Sequence, residues 1–136
     1  MNWKRALLTG AALSVVLIGL EFLIHWYLLM DIYVQTAGVW RPQAEMRPLT
    51  GYMLLGDILF AFFYAIIYAK GYETSKGSLG QGFRYGILMG LLIAPATSLM
   101  WYVVLPIPAI LSVYWFLASF AEMLVLGTLA GLIYRD

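Results

Sequence analysis

Glu21 and His25 stand four residues apart inside the first of four long apolar stretches, with Asp57 inside the second and Glu122 inside the fourth. Carboxyl and imidazole groups are the side chains that move protons, hold cations and ligate metals. A charged group at the centre of a bilayer costs about 2.5 to 3.5 kcal/mol even on the lenient insertion scale, so these four are expected to face inward and to partner one another. Four residues is one helical turn, which places Glu21 and His25 on one face. An imidazolium at His25 between Glu21 and Asp57 is the natural pairing, a lone Glu122 is expected to keep its proton, and Tyr27, Tyr52, Tyr64, Tyr102 and Tyr114 offer hydroxyls.

Three kinds of chemistry fit such a cluster. It can be a structural polar network that fixes helix order, a path or binding site for protons, cations or small solutes, or a set of metal ligands. The third is the least supported. Di-iron bundles take Glu-x-x-His from each of two helices, whereas this chain has a single histidine and no cysteine. Serine chemistry is no better founded, because His25 has only Ser98 or Ser112 to reach near the same face and no Gly-x-Ser-x-Gly elbow is present. No catalytic residue and no cofactor are therefore expected, and whether a metal binds stays open.

The elements that must position these groups are membrane helices. Apolar residues make up 63% of the 136-residue chain and charged ones 11%, against roughly 25% charged in a soluble domain, so a water-facing surface cannot be built from it. About 20 apolar residues cross a bilayer as a helix, and the runs expected to do so are 6–30, 51–69, 81–105 and 109–134. The expectation is all-α: a four-helix transmembrane bundle forming one domain over 1–136. Counting 1.5 Å per residue from the outer end of each span puts His25 about 7 Å deep, Asp57 about 9 Å, Glu21 about 13 Å and Glu122 about 20 Å, near the midplane. The apolar run after Lys4-Arg5 is too long for a cleaved signal segment and reads as a retained first helix.

Charge placement orients the bundle. Lys4, Arg5, Lys70, Lys76, Arg84 and Arg135 flank one side of the spans, and only Arg41 and Arg47 the other. The positive-inside rule then puts both termini and the middle connection in the cytoplasm. The net charge of +1 offers no field for nucleic acid. The 31–50 segment, with Tyr33, Trp40, Arg41-Pro42 and Arg47-Pro48, is expected to lie along the outer interface as a loop, where Arg41 and Arg47 could hold an anionic headgroup or a partner. The connection from Lys70 to Gly80 reads as a flexible turn, and Pro106-Ile107-Pro108 as a stiff one that makes the third and fourth spans antiparallel neighbours.

Glycines mark the packing. Gly82, Gly86 and Gly90 recur every fourth residue, as do Gly127 and Gly131, leaving side-chain-free grooves through which helices approach closely, either within the chain or between copies. Pro95 is expected to kink the third span.

The runs Gly71-Tyr72-Glu73 and Gly82-Phe83-Arg84-Tyr85-Gly86-Ile87-Leu88-Met89-Gly90, the Pro106-Ile107-Pro108 turn and the ending Gly131-Leu132-Ile133-Tyr134-Arg135 resemble the small four-span bacterial inner-membrane proteins of uncharacterised families. The resemblance covers about the second half of the chain and implies location in a bacterial inner membrane, with no site residue carried over. The leading expectation is a non-enzymatic accessory or structural subunit, with the lipid bilayer and either a second copy or a larger membrane complex as partners. The alternative is a small oligomeric proton, cation or small-solute transporter using Glu21, His25, Asp57 and Glu122; a metal-dependent membrane enzyme ranks third.

Overall fold

The structure, a computed structural model, describes residues 1–135. Helix α1 (Trp3–Phe22) starts at Asn2, whose side-chain oxygen accepts the Arg5 N–H at 3.1 Å and so caps one of the orphan donors of the first turn. It continues as a π-helical segment, Leu23–Leu28, where the Leu29 N–H donates to the Ile24 carbonyl five residues back at 2.9 Å. After a bend at Leu29 come α2 (Met30–Gln35), a 3-10 turn at Ala37–Val39, α3 (Gln43–Met46) and a second 3-10 turn at Arg47–Leu49. Three long helices complete the chain: α4 (Thr50–Lys70), α5 (Ser78–Val104) and α6 (Ala109–Ile133).

Among the described residues there is no strand, and four helical stretches are long and apolar enough to cross a membrane. In hydrocarbon a helix is the form that satisfies its own backbone, which is why such composition folds this way. Hydroxyls follow the same rule. Thr9, Ser14 and Thr128 each bond the carbonyl four residues back at 2.7 to 2.8 Å, hiding their polarity inside their own helix.

The helices pair as two hairpins, α1 with α4 and α5 with α6, and α1 lies against α6 to join them. The seam between α5 and α6 is backbone on backbone. A Cβ added at Gly86 would sit 2.6 Å from the Met123 carbonyl oxygen, and one at Gly127 would sit 2.6 Å from the Gly86 Cα. Gly82 and Gly131 face each other in the same way, while Gly90 abuts the Phe120 ring. In α1, Gly10 admits Phe62 of α4. Without a hydrophobic drive between helices in lipid, such close approach supplies the dispersion contacts that hold them.

One end of the bundle gathers the termini. The Asn2 N–H donates to the Tyr134 hydroxyl at 2.9 Å, tying the first helix to the last. Tyr134 also packs edge-on against Tyr68 and Tyr72, and the Tyr68 hydroxyl donates to the Ser78 carbonyl at 3.1 Å. The connection 71–77 therefore lies at this terminal end, opposite the 31–50 segment.

Two local expectations need correction. The 31–50 segment is largely short helical turns rather than open loop, because Pro42 precedes α3 and Pro48 falls in a first turn, where a missing N–H breaks no bond. The connection after Lys70 is pinned: the Gln81 side chain accepts the Glu73 N–H at 2.9 Å and donates to the Glu73 and Lys76 carbonyls at 2.8 and 2.9 Å. Pro95 lies inside an unbroken α5, with Thr97 and Ser98 hydroxyls bonding the Ile93 and Ala94 carbonyls at 2.9 and 2.7 Å.

Candidate functional site: an acidic, aromatic-walled cleft

At the loop end the two hairpins part. A cleft of about 640 Å3 opens between α4 and α5, backed by α1 and α6 and roofed by Val39, Trp40 and Arg41 of the 31–50 segment. Glu21 and His25 enter it from α1 and the π segment, Gly56, Asp57 and Phe60 from α4, Thr97, Ser98 and Trp101 from α5, and Trp115, Ser119 and Glu122 from α6. Its floor is Leu17 and Met123. All four sequence-predicted polar residues thus line one space, and Arg41 stands at its rim; Arg47 lies outside it.

Local structure explains the arrangement. The π segment widens the helix at the turn that carries His25, a distortion that recurs at functional sites. The bend at Leu29 then folds α2 back so that Tyr33 reaches His25. Their rings stack at 5.9 Å, and the Tyr33 hydroxyl lies 2.5 Å from His25 Nδ1, while His25 Nε2 meets Glu21 Oε2 at 3.0 Å. Trp115 of α6 donates its indole N–H to the Tyr33 oxygen at 2.8 Å. Both ring nitrogens of His25 therefore have a partner, Nε2 the Glu21 carboxylate and Nδ1 the Tyr33 hydroxyl. Trp40 completes the cluster, edge-on to Tyr33 at 5.4 Å and to Trp115 at 6.0 Å, its own N–H held by Thr36 Oγ1 at 2.9 Å.

Asp57 is therefore not the second partner of His25: Tyr33 holds that nitrogen. The hydroxyls expected at the cluster are elsewhere. Tyr27, Tyr52, Tyr102 and Tyr114 are exposed on the bundle surface, and Tyr64 is buried in the core, where it donates to the Met123 carbonyl. Ser112 donates to the Ser98 carbonyl at 2.9 Å and Ser98 to that of Ala94 at 2.7 Å, so neither serine serves His25.

The decisive residues missed by sequence are Tyr33 and Trp115. Eight residues separate Tyr33 from His25, about 12 Å along a straight helix and too far for contact, and nothing in the sequence announced the bend between them. Burial pushes the Tyr33 phenol up to about 12, with Glu21 adding to the rise and the Trp115 hydrogen bond opposing it. Because the folded phenol holds its proton more tightly than the unfolded one, its contribution to stability is complete below about pH 10 and is lost as pH climbs towards 12. Replacing Tyr33 with Phe is expected to cost about 1 to 3 kcal/mol at neutral pH by stranding the Trp115 N–H and His25 Nδ1. Thermal unfolding in detergent checks both parts: the variant starts lower, and its melting point falls less than wild type between pH 9 and 12. Parallel curves across that range would show that the buried phenol is not the titrating group.

Two carboxyls remain without partners. Glu122 is only 5% exposed and its Oε1 has no hydrogen-bond partner among the described residues. Asp57, half-buried, makes no ion pair or side-chain hydrogen bond among them. Arg41 does not neutralise either; its guanidinium lies 4.0 Å from Glu45 on the exposed rim. Nor do the carboxyls converge into a chelate, for among the described residues no three His, Asp or Glu side chains are placed to hold one metal ion. The chain matches no known protein family, no curated protein and no solved structure, so the cleft has to be interpreted from its own chemistry, within a chain that is a multi-pass, all-helical membrane protein by its four apolar helices.

Proposed function

We propose that the protein binds a small solute from the outer side of a cell membrane, bacterial inner membrane in the reading carried by the sequence resemblance, as the capture step of a non-enzymatic small-solute or cation carrier. The observation that carries this is the cleft itself: about 640 Å3 of space lined by Glu21, His25, Asp57 and Glu122 together. A purely structural polar network would be expected to close around its members, because an unpartnered polar group in hydrocarbon is costly. A volume between about 300 and 1,000 Å3 with a few convergent polar groups is what a small-molecule site requires. The accessory-subunit reading has less to rest on, since the glycine grooves that would offer a partner a close-packing face meet each other inside the chain.

Orientation is part of the proposal: termini in the cytoplasm, 31–50 segment and cleft mouth outside, on the six-to-two division of basic residues. The absence of cysteine makes the test clean. Ser119→Cys, on the cleft wall, is expected to react in intact cells with a charged, membrane-impermeant thiol reagent, and Ser75→Cys, in the connection at the terminal end, only after permeabilisation. Reaction of Ser75→Cys alone from outside would invert the orientation. An unreactive Ser119→Cys, with Gln43→Cys reacting as the external control, would close the cleft and end the carrier reading.

A further inference from the structure

Resting on the proposed outward-opening cleft, we infer that its ligand is an organic cation: one positive charge carried on an apolar, preferably aromatic, body. The charge follows from what lines the space. Glu21, Asp57 and Glu122 supply three carboxyls against one imidazole and the guanidinium of Arg41 at the rim; the imidazole already has Glu21 and Tyr33 on its two nitrogens, and Arg41 lies 4.0 Å from Glu45. Among the described residues Asp57 and the buried Glu122 are left facing the cleft with no ion-pair partner, Glu122 with an oxygen that accepts no hydrogen bond. An entering cation brings the counter-charge these groups lack, Glu122 releasing to water the proton it is expected to hold in the empty cleft, whereas an anion finds its one positive partner in Arg41 at the rim, already beside Glu45.

The apolar body follows from the walls. Trp40, Trp101, Trp115 and Phe60 give the cleft four aromatic rings, and cations attached to apolar groups gain both from the ring faces and from leaving water. A bare metal ion does not fit the same residues. Calcium needs six to eight oxygen ligands and magnesium a near-ideal octahedron, whereas no three carboxyl or imidazole groups converge here among the described residues. Nor does a proton alone need a space of this volume. Ring faces and one or two carboxylates are too few for a metal and enough for an alkyl or aryl ammonium.

The depth of the groups assigns them different parts. Glu122, at the floor beside Met123, is the carboxyl that meets the charged centre; Asp57, on the opposite wall in α4, is the second; Glu21 is held by His25 and contributes less. Selectivity by charge then comes from Glu122 and Asp57, and selectivity by shape from the tryptophans.

Tetraphenylphosphonium and tetraphenylborate, which share a shape and differ in the sign of their charge, are the probes. Detergent-purified full-length protein is expected to bind tetraphenylphosphonium saturably, one per chain by calorimetry or by quenching of tryptophan fluorescence, and to bind tetraphenylborate no better than an empty micelle does. The isosteric changes Glu122→Gln and Asp57→Asn are expected to weaken phosphonium binding roughly tenfold to a hundredfold while Glu21→Gln weakens it less. Should Glu122→Gln fail to fold, phosphonium protection of Ser119→Cys from the thiol reagent reads the same site in an otherwise unaltered chain. Equal binding of the two probes, or a folded Glu122→Gln and Asp57→Asn pair with wild-type affinity, overturns the inference; if Ser119→Cys still reacts from outside, the solute-binding cleft stands and only the ligand class is wrong. Competition by added phosphatidylethanolamine would trace the natural cation to a lipid headgroup, and competition by a water-soluble aryl ammonium to a free solute.

Discussion

Gly86→Leu is expected to destabilise the protein by about 3 kcal/mol or more, the upper range for over-packing, because no flexible side chain stands where the new atoms must go. A Cβ at Gly86 meets the Met123 carbonyl oxygen at 2.6 Å and the Leu124 Cα at 2.9 Å, so α5 and α6 would have to separate along their length. Gly127→Leu, on the facing helix, meets Gly86 and is expected to do the same. Gly19→Leu is the matched control. It makes the same change inside a helix but finds nothing within 4 Å of the new Cβ, and leucine there is expected to be neutral or mildly favourable on helix propensity. Unfolding in detergent distinguishes them, and equal stability of the two variants would show that the α5–α6 seam is not a close contact. The consequence reaches the cleft, because Trp115, Ser119 and Glu122 hold their positions only while α6 stays seated on α5.

Tyr64→Ala is expected to have a comparable effect for a different reason. Tyr64 is 2% exposed at the junction of the two hairpins. Its hydroxyl donates to the Met123 carbonyl at 2.8 Å, its own carbonyl accepts the Tyr85 hydroxyl at 2.9 Å, and its ring meets that of Tyr85 at 4.7 Å. Deleting a buried aromatic ring typically costs about 3 to 5 kcal/mol. Tyr64→Phe keeps the ring, loses one hydrogen bond, and is expected to cost only about 1 kcal/mol. Because Tyr64 and Tyr85 close α4 onto α5 just beyond the cleft floor, the alanine variant is also expected to let thiol reagent reach Ser119→Cys from the terminal side, a leak that the phenylalanine variant lacks. An alanine variant as stable as the phenylalanine one would mean that the ring does not bridge the hairpins.

These two effects differ in how far they could be anticipated. The four-residue spacing of Gly82, Gly86 and Gly90, and of Gly127 and Gly131, is a property of one helix face, so a close-packing groove was legible in the chain. Which surface filled it was not, since a groove of that kind accepts a helix of the same chain or of another equally well. Tyr64 carried no such mark. It stood among several span tyrosines, and only its place at the meeting of α4, α5 and α6 separates it from the exposed Tyr27 and Tyr52.

The helical class and the four apolar spans were determined by the sequence alone, because hydrocarbon leaves a backbone few options and composition over 20 residues decides whether a helix can enter it. Local spacing likewise put Glu21 and His25 on one face. The tertiary structure decided the rest. It gave the second nitrogen of His25 to Tyr33 rather than to Asp57, through a π turn and a bend whose effect depends on where α2 lands. It brought Trp115 from 82 residues away to lock that contact. And it left Glu122 and Asp57 facing an open cleft, which no periodicity encodes, because a cleft exists only where two hairpins packed tightly at one end diverge at the other.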